Sequence, residues 1–532
     1  MKYSLIKLND LSDEILIYIL KKLENDQVLY SLIGVNKRLN TLIHDRIFTS
    51  HLRLMRYISD DSINLLSDTI LDRFYSEILP SIDHKIQWLD LESSSMERIL
   101  SRNYPNLYRL GLYNLEIESA KHLFTNETIL NDLFKNDILS LIIHISKNKK
   151  QTSTKYDNTI IFTNIFSIFT NLQELKFDSN SIYPRYLSFD ISPPIFISST
   201  LLELHVNVTH FYDCIYLLDG RFNQLRLLHV NTFSIERSSV RTVNNSEKLP
   251  NLKCFSLHCE IDTVYYDQLI LPLLHRMLNL EKLHLCLKIY GRNTFIDGNN
   301  LKINIINYMR QLNQFTFNIR STIRLDNKIN LLSNEDIQHT FNHFQNNKII
   351  SSVDYFSEME RGQCHIYSYP YQLKYYHQIT NNFPGGIFKY VREISLFDER
   401  SFEHKFFFQI SQSFPFMKKL TLINEKPQND KRYRIFDDDN QHLSIIEYPH
   451  LSHLNLDEAH DDYVEQFLLD TKTSLPNSVY LSVDYQVLKR VTQHFTRNTT
   501  RINSIKLRSL GLIGKCKIPK YVKEYFPRTK IL

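Results

Sequence analysis

The chain has 532 residues with 63 basic and 58 acidic side chains, a formal net charge of +5 and 42% hydrophobic residues, the balance of an ordinary globular protein. The charges are interspersed and the longest basic cluster is Lys147-Asn148-Lys149-Lys150, which excludes the dense cationic stripe of a nucleic-acid surface. Ten glycines, without any Gly-x-Gly or Gly-Lys-Ser context, exclude the phosphate-cradling loops of nucleotide-binding enzymes, which need glycine to bring backbone N–H groups against an anion.

In chain order, the first fifty residues read as three short helices. Leu11, Ile15, Leu16, Ile19, Leu20 and Leu23 recur at spacings of three and four, which place them on one helical stripe. Ser12 can cap that helix, and Asp13 and Glu14 lie in its first turn, where carboxylates favour the positive end of the dipole. Asn25-Asp26 breaks the pattern, and Val28, Leu29, Leu32, Ile33 and Val35 lead into Leu39, Leu42, Ile43, Ile47 and Phe48. A domain this small hides only about 60% of its surface, so part of this apolar set requires a cover.

The segment resembles an F-box. The family pattern of Leu-Pro-x-Glu-Ile-Leu, later Ile and Leu positions, a Leu pair and Val-x-Lys-Arg is matched by Leu11, Glu14, Ile15, Leu16, Ile19, Leu23, Leu29, Leu32, Val35, Lys37 and Arg38. Ser12 stands where the family usually has Pro, and Leu39 where many members have Trp. The resemblance implies docking on the adaptor of a cullin-RING (SCF-type) ubiquitin ligase through Leu11, Ser12, Ile15, Leu16, Ile19, Leu23, Leu29, Leu32 and Val35. The alternative is a helical cap packed on the following elements.

From Ile86 onward a phrase recurs as apolar-x-x-apolar-x-apolar, often introduced by Asn or Pro-Asn, as at Pro105-Asn106, Thr170-Asn171 and Pro250-Asn251. Its first positions are Ile86, Leu107, Ile138, Leu172, Leu201, Leu225, Leu252, Leu280 and Leu312, then Val391, Met417, Leu451, Ser478, where the first position is polar, and Ile502. With 42% hydrophobic residues such a phrase arises by chance about 39 times in this length, so the regular spacing of 21 to 34 residues carries the inference. That period resembles leucine-rich repeats. The Asn that such repeats place past the last apolar position stands only at Asn180. The expected fold class is therefore an α/β solenoid, an irregular leucine-rich-repeat horseshoe with an N-terminal three-helix F-box. Its expected parts are the F-box at 1–50, repeats at 51–320, an insertion at 321–390 and further repeats at 391–532.

In the insertion, Ser333 to Phe344 reads as a helix, and Ile349 to Phe356 with His365 to Tyr369 flank Glu360-Arg361-Gly362 as a hairpin. Tyr355, Phe356, Tyr367, Tyr369, Tyr371, Tyr375 and Tyr376 crowd this stretch; exposed rings would make a recognition platform, buried ones would close the sheet, and burial is the expected fate. Because side chains alternate along a strand, the polar residues of successive phrases should line the concave sheet. Lys176, His205, His229, Ser256, His284 and Thr316 form the candidate face for a protein substrate. His205 and His229 on neighbouring strands raise a metal site as one reading and an ordinary polar face as the other. Cys254 and His258 point away from Cys259 by strand parity, so these three cannot converge on a metal. Phe406, Phe407 and Phe408 with Ile410 and Phe414 read as a buried helix face, and Asp437-Asp438-Asp439 as a solvated loop.

No Gly-x-Ser-x-Gly, His-Glu-x-x-His or Cys-x-x-Cys motif occurs. Six sparse cysteines suggest a reducing compartment. The N-terminus shows no charged-then-apolar leader, and no run of about eighteen apolar residues occurs. The expectation is a non-catalytic protein of the cytoplasm or nucleus, without cofactor or metal, bridging an adaptor and a protein substrate. It would engage neither nucleic acid nor membrane. The competing class is a free-standing repeat scaffold for protein interactions.

Overall fold

The computed structural model describes residues 10–57, 63–64, 66–125, 137–146, 156–178, 185–190, 196–237, 248–325, 331–344, 348–429, 445–514 and 519–532. Lys147–Lys150, Asn180, Asp437–Asp439 and Cys516 lie outside the described residues.

Three helices open the chain: α1 (Asp13–Leu20), α2 (Asn25–Leu32) and α3 (Lys37–Ile43). Ser12 sits at the N-cap of α1 in extended conformation, although its hydroxyl makes no bond to the helix backbone. At α3 the Asn36 side chain does cap, accepting from the Leu39 N–H at 2.8 Å. Leu16, Leu20, Val28, Leu29, Leu39, Ile43 and Phe48 are buried. Asn25 Nδ2 donates to the His51 carbonyl at 2.8 Å, and Arg73 Nη1 to the Tyr30 carbonyl at 2.7 Å. The first bond ties α2 to the strand that begins at His51, and the second ties α2 to the helix Asp68–Arg73.

The strands of the first sheet are β1 (His51–Leu54), β2 (Trp88–Glu92), β3 (Arg109–Leu115), β4 (Ser140–Ile145), β5 (Glu174–Phe177) and β6 (Glu203–His210). They continue as β7 (Leu227–Ser234), β8 (Cys254–Cys259), β9 (Lys282–Arg292), β10 (Gln314–Arg324), β11 (Lys348–Phe356) and β12 (Arg361–Tyr369). In the parallel part each strand start brings its first apolar side chain into register with the last. The row runs Leu89, Leu110, Leu141, Leu175, Leu204, Leu228, Phe255 and Leu283. Every member is at most 2% exposed, and each buried side chain of this size contributes about 1.5–3 kcal/mol.

A recurring turn sets that register. The first apolar residue of a phrase donates its N–H three residues back, as Leu107 does to Tyr104, Leu252 to Leu249 and Leu280 to Met277. The residue just before it carries a side-chain donor aimed at a carbonyl of the preceding turn. Lys85 reaches the His44 carbonyl at 3.0 Å, Asn106 that of His84 at 2.5 Å, Asn251 that of Asn223 at 2.7 Å and Asn279 that of Pro250 at 3.0 Å. The Pro-Asn signal before the strand phrases is this ladder of side-chain bonds, which satisfies carbonyls that the turn leaves unpaired.

The expected leucine-rich-repeat horseshoe is corrected by the sheets themselves. The chain forms a large mixed α/β fold with a twelve-stranded sheet and a seven-stranded parallel sheet. It divides into two compact units, residues 1–288 with 303–315 and residues 289–302 with 316–532. The first sheet ends in antiparallel pairing of β10 with β12 and of β12 with β11. The stretch read as an insertion therefore supplies strands to a sheet. Connectors also differ in kind: π-helical segments at Phe74–Ile78 and Tyr266–Ile270 each run into a Leu-Pro step, Asp157–Ile168 is a single α-helix, and the 3-10 turn Ser93–Ser95 runs into the α-helix Met96–Leu100. Parallel strands demand crossovers of a dozen or more residues, so regular spacing of strand phrases follows from any long parallel sheet.

The second sheet comprises β13 (Tyr375–Ile379), β14 (Glu393–Phe397), β15 (Lys419–Asn424), β16 (His453–Ala459), β17 (Val479–Asp484), β18 (Leu507–Ile513) and β19 (Lys530–Ile531), in chain order. Its core is aromatic at one end, with Tyr371, Tyr376, Phe388 and Phe414 packed at ring separations of 5.0 to 5.8 Å. Tyr367, Tyr371 and Tyr376 are buried as expected, whereas Tyr369 lies at the surface. Phe406 and Phe407 are buried on their helix and Phe408 is exposed. Ile502 to Leu507 is not a strand: Arg501–Ile505 is helical and β18 begins only at Leu507.

Truncating the in-register row tests this account. Leu204→Ala should cost about 2–5 kcal/mol in urea unfolding, whereas Ile197→Ala, at a side chain 75% exposed, should stay within about 0.5 kcal/mol. Equal costs would refute it.

Candidate functional site

Two surfaces hold the residues singled out from sequence. On α1, periodicity divides the apolar side chains between an inner and an outer face. Leu16 and Leu20 point into the core, at 1% and 6% exposure, while Ile15 (48%), Tyr18 (65%) and Ile19 (41%) form an exposed stripe that continues to Leu23 (50%) past the helix end. Val35, in the turn after α2, is 58% exposed. Lys22 Nζ stands 4.7 Å from the Tyr18 ring centre. Arg38 pins the start of this helix, pairing with Asp13 at 2.6 Å and donating to the Leu11 carbonyl at 2.6 Å.

The nine residues named from the family pattern therefore separate. Ile15, Ile19, Leu23, Val35 and Ser12 face solvent, Leu11 and Leu32 are half-buried, and Leu16 and Leu29 belong to the interior. Leu39, where the pattern commonly has Trp, is also interior. Tyr18 and Ile47 are exposed apolar residues that the pattern did not include. The signal for Tyr18 was its place three residues past Ile15, on the flank away from Leu16 and Leu20. Behind α3, Ile17, Asn40, Thr41, Leu42, His44, Asp45 and Lys85 line an open depression of about 590 Å³.

The second surface is the polar face of the first sheet. Register aligns Lys176, His205, His229, Ser256 and His284 on five successive strands, β5 to β9. All five are half-buried, and Thr316 on β10 is half-buried as well. The earlier strands of this face carry a closed ionic network. Asp90, fully buried, accepts from Trp88 Nε1 at 2.8 Å and Arg53 Nε at 3.4 Å, with His51 Nε2 at 3.5 Å. Gly111 leaves the room it needs, since a Cβ there would stand 2.2 Å from an Asp90 oxygen. Arg109 lies 3.9 Å over the Trp88 ring and 3.3 Å from Glu174, which also pairs with Lys176 at 2.7 Å.

The imidazoles of His205 and His229 are stacked with centres 5.5 Å apart. Burial pushes the pKa values of His205, His258 and His284 down to about 4, and that of His229 downward. These four imidazoles are thus neutral near pH 7. Among the described residues, no group of three or more His, Cys, Asp or Glu side chains is arranged to hold a metal ion, so the metal reading of His205 and His229 gains no third ligand. Among the described residues, no helix is long and apolar enough to cross a membrane.

No protein-family model matches the chain, and no curated protein matches it in sequence. A solved structure to which it is similar is the crystal structure of the Rad7 and Elc1 complex in yeast, at 10% identity over 99% of this chain and 89% of that chain, with a TM-score of 0.25. A likeness at that level assigns neither fold nor partner.

The histidine row makes stability depend on pH. Below the ordinary value of 6.5 an unfolded chain takes up protons that His205, His258 and His284 refuse when folded until about pH 4, so their contribution is lost as pH falls through that window. Asp178 and Asp213 act oppositely, because burial raises them to about 7 and about 6 and acid favours their folded state. A variant carrying Asn at 205, 258 and 284 should therefore lose less urea stability than wild type between pH 6.5 and 4. Superimposable pH profiles would contradict it.

Proposed function

We propose that this chain is the substrate-receptor subunit of an SCF-type ubiquitin ligase. Its helical N-terminus would dock on the adaptor, and its polar sheet face, Lys176 through His284, would hold a protein substrate. The role is a bridging one, without chemistry of its own, in the cytoplasm or nucleus. The observation that carries the reading is the exposed stripe Ile15, Tyr18, Ile19 and Leu23 on α1, with Val35 beside the second helix. These side chains cost the monomer the apolar exposure that a partner would relieve, each by up to about 1.5–3 kcal/mol before the cost of association. They stand on a helix whose opposite face is already committed to the core, and among the described residues they remain exposed.

A free-standing interaction scaffold, with the helices as a cap, draws support from the seat of α2 on β1, where Asn25 Nδ2 donates to the His51 carbonyl. It leaves the outer stripe of α1 unexplained. Co-purification with the adaptor separates the two. Ile15→Asp and Leu23→Asp should abolish capture while the urea midpoint stays nearly unchanged, because exposed positions cost within about 0.5 kcal/mol. A wild-type protein that fails to retain adaptor, or aspartate variants that retain it fully, would end the ligase reading.

A further inference from the structure

The recurring turn before each strand changes character in the second unit. In the first unit the residue ahead of the first apolar position is a side-chain donor: Lys85, Asn106, Asn171, Gln224, Asn251, Asn279 and Gln311. In the second unit the same turn occurs before β14, β15 and β16, with Val391, Met417 and Leu451 donating to Phe388, Phe414 and Tyr448. The equivalent residues there are Tyr390, Phe416 and His450. All three rings are exposed, Tyr390 at 59% and Phe416 at 42%. Phe416 has no hydrogen-bonding atom, and neither the Tyr390 hydroxyl nor the His450 ring makes the amide's bond to the turn before it. Arg392 instead takes up the Lys389 carbonyl at 2.7 Å from within its own turn.

Cations accompany the rings. Lys374, Arg392 and Lys418 occupy one register position on three successive rungs, Arg392 N–H donating to the Lys374 carbonyl at 2.6 Å and Lys418 N–H to that of Arg392 at 2.7 Å. Lys389 is exposed next to Tyr390. The carboxylate on the adjoining row, Glu393, pairs with Lys419 at 3.5 Å. Four cationic residues thus share the turns and rungs of three aromatic rings that the fold does not bury, and one of them, Arg392, lies over the Phe416 ring.

We infer that this strip, Tyr390, Phe416 and His450 with Lys374, Lys389, Arg392 and Lys418, is a docking surface for an acidic, aromatic-bearing peptide segment of a partner protein. Arg and Lys on successive rungs, about 4.8 Å apart, match carboxylates of an extended chain, and Arg adds bidentate geometry. Exposed Tyr and Phe beside Arg supply the anchors that dominate peptide interfaces. Single-stranded nucleic acid fits less well. Base stacking needs an open ring face, and Phe416 has Arg392 at 5.3 Å on the side of the preceding strand and His450 at 5.5 Å on the side of the following one.

The surface lies on a different element from the α1 stripe, and its test needs no adaptor. Fluorescence anisotropy of the full chain would use a labelled peptide of alternating Glu and Tyr, with an alternating Lys-Tyr peptide and an oligothymidylate as comparators. The Glu-Tyr peptide should bind best, and Phe416→Asn and Lys418→Glu should each weaken it about tenfold or more. Phe416→Asn installs the residue type that the first unit tolerates at this position, so its urea midpoint should hold. If it does not, Lys418→Glu decides together with Lys389→Glu, whose side chain is exposed. No binding of the Glu-Tyr peptide, unchanged affinity in the folded variants, or equal binding of oligothymidylate would overturn the assignment.

Discussion

Everything in the first unit depends on one constraint, the in-register row of apolar side chains from Leu89 to Leu283. Strand side chains alternate with a period of two, so a slip of one residue would expose the whole row and bury its polar neighbours. The same register that hides Leu204 and Leu228 at 0% exposure sets His205 beside His229 and Lys176 beside His205. The polar face is a consequence of the core, fixed strand by strand. Asp90 shows how far that goes: a fully buried carboxylate persists because Trp88, Arg53 and His51 reach it from its own and the neighbouring strand, and an unpaired charge there would be costly.

That register also decided what could be seen in the sequence. The strands whose phrases begin with a large apolar residue and a Pro-Asn turn, such as β3 and β8, announce themselves, because burial and turn chemistry act on adjacent residues. The same holds for α1 to α3, where a stripe at helical spacing meets a marked start. The fold class was misread because phrase spacing reports parallel crossovers and says nothing of where a sheet ends. Antiparallel pairing of β10, β11 and β12 rests on contacts between residues far apart in sequence. Ile502 to Leu507 fits the strand phrase, yet Ile502 and Ile505 are three apart and lie exposed on a helix, a case in which period two and period three overlap in a short window.

The site residues divide along the same line. Amphipathic spacing identified α1 as a surface element but not which half of its apolar residues turns outward. Leu16 and Ile15 are sequence neighbours with opposite fates, since a helix rotates each residue by about 100°. The exposed choice became visible only from the structure, where Leu16 and Leu20 are buried and Ile15 and Ile19 are not. Tyr18, the most exposed of the apolar side chains on α1, was passed over because it breaks the stripe that the core requires.

The contrast between the two units carries this reasoning one step further. An amide at the turn position gains a hydrogen bond worth about 0.5–1.5 kcal/mol to a carbonyl that would otherwise depend on water, and the first unit uses it at Asn106, Asn251 and Asn279. Three successive turns of the second unit forgo that bond and expose Tyr390, Phe416 and His450 instead. The loss is only partly offset within the fold, where Arg392 satisfies one carbonyl and lies over one ring. A residue type that fits the backbone equally well and would stabilise it more is absent where it is most easily accommodated. Folding alone does not account for that choice, and an exposed cation-lined aromatic strip has its physical use in contact with another molecule.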